Sequence, residues 1–261
     1  MSVRGGSLDT ALEQALGAFA RRERVLVAVD FDGTLAPIVR DPEDARALPA
    51  AVEAIAALRV LPRTHVAVVS GRPLEQLRRL LAPPDEVALV GSHGAEIDGH
   101  DGVLDDDERR LLVRLRDAVT EIVTANPGTF LEEKPAGVVL HTRRAGNESA
   151  ARATAAALEG PAQWPGVHAL DGKQVVELAV TDVTKGSALL RLRADLGLTR
   201  GGVLFAGDDT TDELAFAELD DDAGDVTVKV GEGSTDARHR VADPDELAQL
   251  LALLAQLRRE A

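Results

Sequence analysis

The segment Val25-Leu-Val-Ala-Val29 is an unbroken apolar run that leads into two carboxylates, Asp30 and Asp32, followed by Gly33 and Thr34. A run without polar alternation suits a parallel strand buried on both faces. Sheets of such strands are covered by crossover helices, and their ligands sit outside the carboxyl ends of the strands. Side chains alternate with period 2, so Asp30 and Asp32 share one side of the chain if the strand continues through them. A lone D-x-D at a strand end equally suits two loop acids, so its meaning depends on the rest of the chain.

The pattern recurs. His65–Val69 is a second apolar run ending at Ser70-Gly71-Arg72, and Val87–Val90 a third ending at Gly91-Ser-His-Gly-Ala-Glu96. Between them stand an amphipathic helical pattern over Leu8–Arg24, a two-proline loop over Ala36–Pro42, a helix from Pro49 to about Val60, and another opened by Pro73. Strand and helix in alternation predict a parallel sheet. After about Gly102 the rhythm changes. A long helix over Leu104–Thr124 begins with Asp105, Asp106 and Asp107, favourable for its dipole. Phe130–Glu132 and Val138–His141 read as a hairpin, Asn147–Leu158 as an Ala-rich helix, and Val167–Leu170 with Gln174–Leu178 as a second hairpin turning at Asp171-Gly172. This predicts a small α+β domain over 103–178, inserted into a core made of 1–102 and 179–261. The core pattern resumes with a helix from Lys185 to about Leu196 and a strand Gly202–Ala206 ending in Gly207-Asp208-Asp209. A helix from Thr210, an alternating strand Asp225–Val230 and a closing helix Pro244–Leu257 complete it. The fold class is α/β.

Composition removes several alternatives. The chain of 261 residues has no cysteine, which excludes disulfides, thiolate nucleophiles and cysteine-held zinc. Aromatics are 2% of the chain, so the core is built from Ala, Leu and Val, and stacking platforms for bases or sugars are disfavoured. A net charge of -15 argues against nucleic acid, favours a monomer without forbidding a dimer, and requires local cations wherever an anionic substrate binds. No apolar run reaches the ~18 residues of a membrane span, and the first residues lack a signal-peptide core, so a cytoplasmic location is expected.

Four strand or helix ends now carry chemistry: Asp30 with Asp32, Ser70, Lys185, and Asp208 with Asp209 and Asp212. Parallel strands bring their carboxyl ends to one edge. Several acids gathered there repel one another unless a cation sits among them. With Cys absent and His unclustered, an oxygen-ligated Mg2+ is the natural one. A metal, a Lys, a Ser hydroxyl and backbone N–H groups form a phosphate cradle, and an adjacent free Asp can attack phosphorus. Singly, each residue has a plainer reading. Ser70 suits a cap for the helix begun at Pro73, Asp209 and Asp212 suit a helix N-cap and first turn, and Lys185 suits a solvated helix. The joint order of all four favours the site.

That order resembles the haloacid dehalogenase superfamily, whose Rossmann-like parallel-sheet core carries an inserted cap. The resemblance implies that Asp30 is the nucleophile and Asp32 the general acid and then base, while Ser70 and Lys185 grip the phosphoryl oxygens. It also implies that the Asp30 carboxylate, the Asp32 carbonyl and Asp208 hold Mg2+, with Asp209 and Asp212 around them. The finer resemblance, over Val25–Leu254, is to the trehalose-6-phosphate phosphatase family. It rests on Asp30–Ile38, Ser70–Arg72, Gly91–Glu96, Glu132-x-Lys134, His141-x-Arg143, Val175–Glu177, Lys185-Gly186, Gly207–Glu213, and Val230-Gly231 with Thr235 and Ala237. It implies a sugar phosphate substrate held by Arg72, His93, Glu132, Lys134, Arg143 and Glu177, and hydrolysis of trehalose 6-phosphate. His141 reads instead as a satisfied buried histidine, and Glu132 and Lys134 equally suit charges that blunt a sheet edge. Phe31 and Thr142 stand where the family often has Tyr. A phosphatase for sucrose or mannosyl phosphates, a phosphomutase, and a non-catalytic sugar-phosphate-binding domain partnered with a synthase are the rival readings. The last has no use for both a nucleophile and an acid.

Overall fold

The structure, a computed structural model, describes residues 8–81, 86–99, 104–198 and 201–261. It divides into two compact units, one of Met1–Gly99 with Thr184–Ala261 and one of His100–Val183. The sequence-based boundary at 102/103 and the first seven residues lie outside the described residues. At the second crossing, residues 179–183 belong to the smaller unit. Its strand runs through Ala179, and Val180 is buried in its core.

The larger unit is a seven-stranded sheet. Its elements in chain order are α1 (Thr10–Ala20), β1 (Val25–Asp30), α2 (Pro49–Arg59), β2 (Thr64–Val69), α3 (Leu74–Leu81), β3 (Val87–Gly91) and β4 (Glu96–Ile97). The chain then leaves for the second unit, whose helices are α4 (Asp106–Ala125) and α5 (Asn147–Glu159) and whose strands are β5 (Phe130–Lys134), β6 (Gly137–His141), β7 (His168–Gly172) and β8 (Val175–Ala179). It returns through α6 (Lys185–Asp195), β9 (Val203–Gly207), α7 (Thr210–Glu218), β10 (Val226–Val230), β11 (His239–Val241) and α8 (Pro244–Glu260). The large sheet has the order β11-β10-β9-β1-β2-β3-β4, and only the β3–β4 pair is antiparallel.

β1 lies at the centre. From it the chain builds outward to β2 and β3 on one side, and later to β9, β10 and β11 on the other. The order therefore reverses between β1 and β9, the place where open α/β sheets bind ligands. The period of 2 sorts the β1 side chains. Val25, Val27 and Val29 join a core with Leu12 and Leu16 of α1, Ile55 and Leu58 of α2, and Leu250, Leu251 and Leu254 of α8. Full burial of each such side chain contributes about 1.5–3 kcal/mol. Leu26, Ala28 and Asp30 face the opposite way. There Ala28 is in register with Phe205, whose ring lies 5.6 Å from that of Phe216 on α7. Asp30 thus ends β1 on the side covered by α6 and α7, and all six β1 residues are buried.

Two strand expectations change. The Asp225–Val230 alternation suits a half-exposed strand, yet every residue of β10 is buried, because its polar face is covered too: Thr227 bonds to Asp221, and Lys229 to the Asp208 carbonyl and Glu213. β11, only three residues long, has too little pattern to read from sequence. In the smaller unit the β7–β8 turn falls at Lys173-Gln174 and not at Asp171-Gly172, since Gly172 pairs with Val175 and Asp171 with Val176. That register sends Val176 and Leu178 into the core and places Gln174 at φ 66.

The smaller unit is a four-stranded antiparallel sheet, β5-β6-β8-β7. Val138, Leu140, Val176 and Leu178 pack on Leu112, Leu115 and Val119 of α4 and on Ala153 and Ala157 of α5. An Asp105–Glu108 capping box starts α4. The alternate positions, Glu132, Val139 and Glu177 in register and Lys134 two residues on, therefore share the sheet face away from the helices. No helix among the described residues is long and apolar enough to cross a membrane.

Candidate active site

Asp30, Asp208 and Asp212 each offer a carboxylate oxygen, and the three oxygens lie within 4.8 Å of one another. Three different elements supply them: the end of β1, the residue after β9, and the first turn of α7. Lys185, the first residue of α6, donates from Nζ to Asp30 Oδ1 and to Asp212 Oδ1, both at 2.7 Å. Helices α6 and α7 come close enough for this because residue 186 is glycine. A Cβ there would meet Glu218 Cγ at 2.9 Å and the Leu214 carbonyl at 3.0 Å. Gly33 plays a similar part at φ 73, where a Cβ would overlap the Asp208 carboxylate.

Burial shapes the electrostatics. Desolvation pushes the Asp30 carboxyl up to about 8, helped by Asp212 and Asp208 and opposed by Lys185. Asp208 is pushed up to about 6 by burial, then by Asp212 and Asp209, against Lys185 and Lys229. Burial alone would lower the Lys185 ammonium, but Asp30 and Asp212 outweigh it and hold the group above its ordinary value. Three acids against one lysine leave the cluster short of positive charge. The all-oxygen donor set fits a hard divalent cation such as Mg2+, with Asp30, Asp208 and Asp212 as the side chains able to hold it.

The raised carboxyls give the metal-free protein a pH dependence. A carboxyl whose folded pKa exceeds its unfolded value binds its proton more tightly when folded. Its contribution is full below its ordinary 3.8 and is lost as pH rises through about 8 for Asp30 and about 6 for Asp208. Tm measured in chelator should therefore fall between about pH 5 and pH 8, and fall less in Asp30→Asn, which stays neutral throughout. Identical pH profiles for the two proteins would contradict this assignment.

Asp32 lies outside the three-carboxylate cluster. Both its oxygens are taken by Arg72, with Nε to Oδ2 at 2.6 Å and Nη2 to Oδ1 at 2.7 Å. The guanidinium is held above its ordinary pKa chiefly by that hydrogen bond, and it also lies over the Phe31 ring. β1 ends at Asp30, so Asp32 belongs to the following turn, bridged to Ala36. Ser70 is buried, and its Oγ accepts from the Arg72 N–H at 3.2 Å, a turn within the loop before α3, while the N–H of Leu74 at the start of that helix goes to Glu96. The Ser70–Arg72 loop is stitched to the turn after β3. His93 donates its N–H to the Ser70 carbonyl at 3.0 Å, and Ser92 donates its N–H to the Arg72 carbonyl at 2.8 Å. Ser92 and His93 both have positive φ, and Glu96 accepts from Ser92 Oγ and from the Leu74 N–H. Glu96 supports this loop without having been singled out from the sequence.

Asp209 caps α7, accepting from the N–H and hydroxyl of Thr210, so its side chain has a local role. Asp212 belongs to the same capping box, yet is fully buried and shared with Lys185. In the smaller unit, Lys134 Nζ donates to Glu177 Oε1 at 2.7 Å. His141 Nε2 lies 2.7 Å from Glu132 Oε2 and its ring stacks on Phe130 at 4.4 Å, so this histidine is half-buried and paired. Arg143 is exposed beyond β6, and Thr142 is buried with its N–H donated to the Gln174 carbonyl. Lys229 escapes the sequence reading altogether. It is buried on β10 and donates from Nζ to the Asp208 carbonyl at 2.6 Å. Its only signal is a lone lysine in an otherwise apolar alternation.

The geometry yields one direct expectation. Gly33→Ala would strain a left-handed backbone and displace the Asp208 carboxylate. Misplacement of that order costs about 100-fold in rate, read as phosphate release by a folded variant. A variant as active as wild type would contradict the close approach.

Comparison with known proteins agrees with the resemblance. A sequence model described as Trehalose_PPase, trehalose-phosphatase, matches residues 28–247. A trehalose-6-phosphate phosphatase-related protein of Thermoplasma acidophilum is 33% identical over 236 residues, covering 89% of this chain and 97% of that one. A bifunctional trehalose-6-phosphate synthase/phosphatase of Thermoproteus tenax is 34% identical over 94% of this chain, which spans only 34% of that longer protein. Among solved structures, Aspergillus fumigatus trehalose-6-phosphate phosphatase superposes with a TM-score of 0.73 at 26% identity, covering 96% of this chain and 98% of that one. The chain belongs to the trehalose-phosphatase family, phosphatases with the haloacid dehalogenase fold.

Proposed function

We propose that this protein hydrolyses trehalose 6-phosphate to trehalose and phosphate with Mg2+, the last step of trehalose formation, through an aspartyl-phosphate at Asp30. The observation that carries the reading is the buried convergence of Asp30, Lys185, Asp208 and Asp212 at the carboxyl edge of the sheet. Asp30 attacks phosphorus. The bond from phosphorus to the sugar O6 breaks, and Asp32 gives O6 its proton. Asp32 then takes a proton from water as the water oxygen attacks phosphorus, which returns Asp30 as a carboxylate and releases phosphate. Arg72 must let go of Asp32 for these transfers, and it is then available to an anionic group. Lys185 and Ser70 are assigned to the phosphoryl oxygens. Asp30, Asp208 and the Asp32 carbonyl would hold Mg2+, with Asp212 and Asp209 supporting them, and the ion would supply charge neutralisation to the phosphoryl group. The expected setting is the cytoplasm.

Sugar recognition is assigned to Arg72, His93, Glu132, Lys134, Arg143 and Glu177. Glu132, Lys134 and Glu177 support this by standing on one sheet face, Lys134 paired with Glu177 and Glu132 with His141, able to exchange those bonds for hydroxyl groups. Phosphate release from trehalose 6-phosphate, sucrose phosphate, a mannosyl phosphate and a small aryl phosphate, with and without Mg2+, tests the assignment. The highest kcat/KM is expected for trehalose 6-phosphate. Glu132→Ala and Lys134→Ala should lower that value far more than the value for the aryl phosphate. Equal losses on both would make these residues structural.

A further inference from the structure

The peptide joining Asp208 to Asp209 is held at both ends by buried side chains. Lys229 Nζ donates to its carbonyl at 2.6 Å, and its N–H donates to Asp212 Oδ2 at 3.0 Å. A peptide group is planar, so fixing its C=O and its N–H fixes its orientation and the position of the Asp208 Cα from which the side chain departs. That side chain lies against Gly33, where there is no space for a methyl. Lys229 is itself anchored by Glu213 Oε1 at 3.2 Å. The other oxygen of Glu213 accepts from Thr235 Oγ1 at 3.0 Å and from the Asp236 N–H at 2.8 Å. Arg240 pins the start of the same loop through the carbonyls of Gly231 and Gly233. A single chain of contacts thus runs from the loop after β10 through Glu213 and Lys229 to the acidic cluster.

We propose that Lys229 is a positioning residue for the divalent cation site: it orients the 208–209 peptide so that the Asp208 carboxylate is set for the metal, and Glu213 ties that orientation to the 231–237 loop. This rests on the metal-dependent reading of the site above. The alternative role of a buried lysine beside three acids is charge balance, and the two roles differ in sign. Removing a cation near the cluster by Coulomb's law alone tightens divalent binding. Removing a positioning residue weakens it, by about tenfold or more when a partner of a metal ligand is lost.

The test is Mn2+ titration of the intact protein followed by the EPR signal of the free ion, on wild type, Lys229→Met and Glu213→Gln. Circular dichroism and Tm establish that each variant is folded. The expected result is about a tenfold or greater rise in Kd for Lys229→Met and a smaller rise for Glu213→Gln, with phosphate release partly recovered by excess metal. Unchanged or tighter Mn2+ binding in folded Lys229→Met overturns the proposal. If Lys229→Met does not fold, Glu213→Gln decides, because it keeps the shape of the side chain but gives up the charge and one of the two acceptor oxygens that tie Lys229 to the 231–237 loop. Unchanged binding there overturns the proposal equally. Wild type that binds Mn2+ yet releases no phosphate from any sugar phosphate would defeat the catalytic reading and leave the metal-binding result to stand.

Discussion

Asp30→Asn should lower phosphate release from trehalose 6-phosphate by about 10,000-fold or more, the scale of losing a covalent nucleophile. The amide has nearly the same shape, so it keeps the packing at the end of β1 and can still accept from Lys185. It cannot form the acyl phosphate. The same change removes a carboxyl whose ionisation is opposed by burial and then by Asp212 and Asp208, so the metal-free variant should be at least as thermostable as wild type once pH rises toward 8. Lost activity with retained or raised Tm marks a catalytic group. Lost activity with a lower Tm would mark a structural one, and activity near wild type would remove Asp30 from the reaction.

Lys185→Met should act on both stability and rate. Lys185 and its two partners are almost completely buried, so the variant leaves Asp30 and Asp212 facing each other without the cation between them. Breaking a buried pair from one side costs about 3–5 kcal/mol, read from urea unfolding in chelator near neutral pH. The deficit should shrink as pH falls, because protonated carboxyls no longer repel. It should also shrink with added Mg2+, which supplies positive charge in place of the ammonium. Phosphate release should fall by about 100- to 1000-fold even with metal saturating, as expected when one donor to a developing anion is removed. Stability equal to wild type at neutral pH would show that the two aspartates do not depend on this lysine.

Much of this arrangement is legible in the chain. The apolar run at Val25–Val29 reads as a doubly buried strand because it has no alternation to give it a wet face. The order of Asp30, Ser70, Lys185 and Asp208 reads as one site because parallel strands and crossover helices deliver their ends to one edge. Period 2 also places Glu132, Lys134 and Glu177 on one face once Val138 and Leu178 are given to the core. What stays hidden depends on neighbours that pattern does not encode. β10 looks half-exposed because Thr227 and Lys229 alternate with valines, and Asp221, Asp208 and Glu213, distant in pattern, cover that face. Asp209 and Asp212 read as the N-cap and first turn of one helix, with nothing to tell which of them faces the lysine. The turn of α7 sends one to cap the helix and the other to Lys185. Asp32 follows Asp30 by two residues, yet the strand stops between them, and Asp32 takes Arg72 as its partner.

The most direct measurement is on the phosphoryl group in transit. Trehalose 6-phosphate carrying radiolabelled phosphate is mixed with the Mg2+-loaded protein, quenched in acid during turnover, and the label is mapped by peptide. The account predicts label on the peptide containing Asp30, and none in Asp30→Asn. Rapid hydrolysis with no label on Asp30, or label on another side chain, would contradict it.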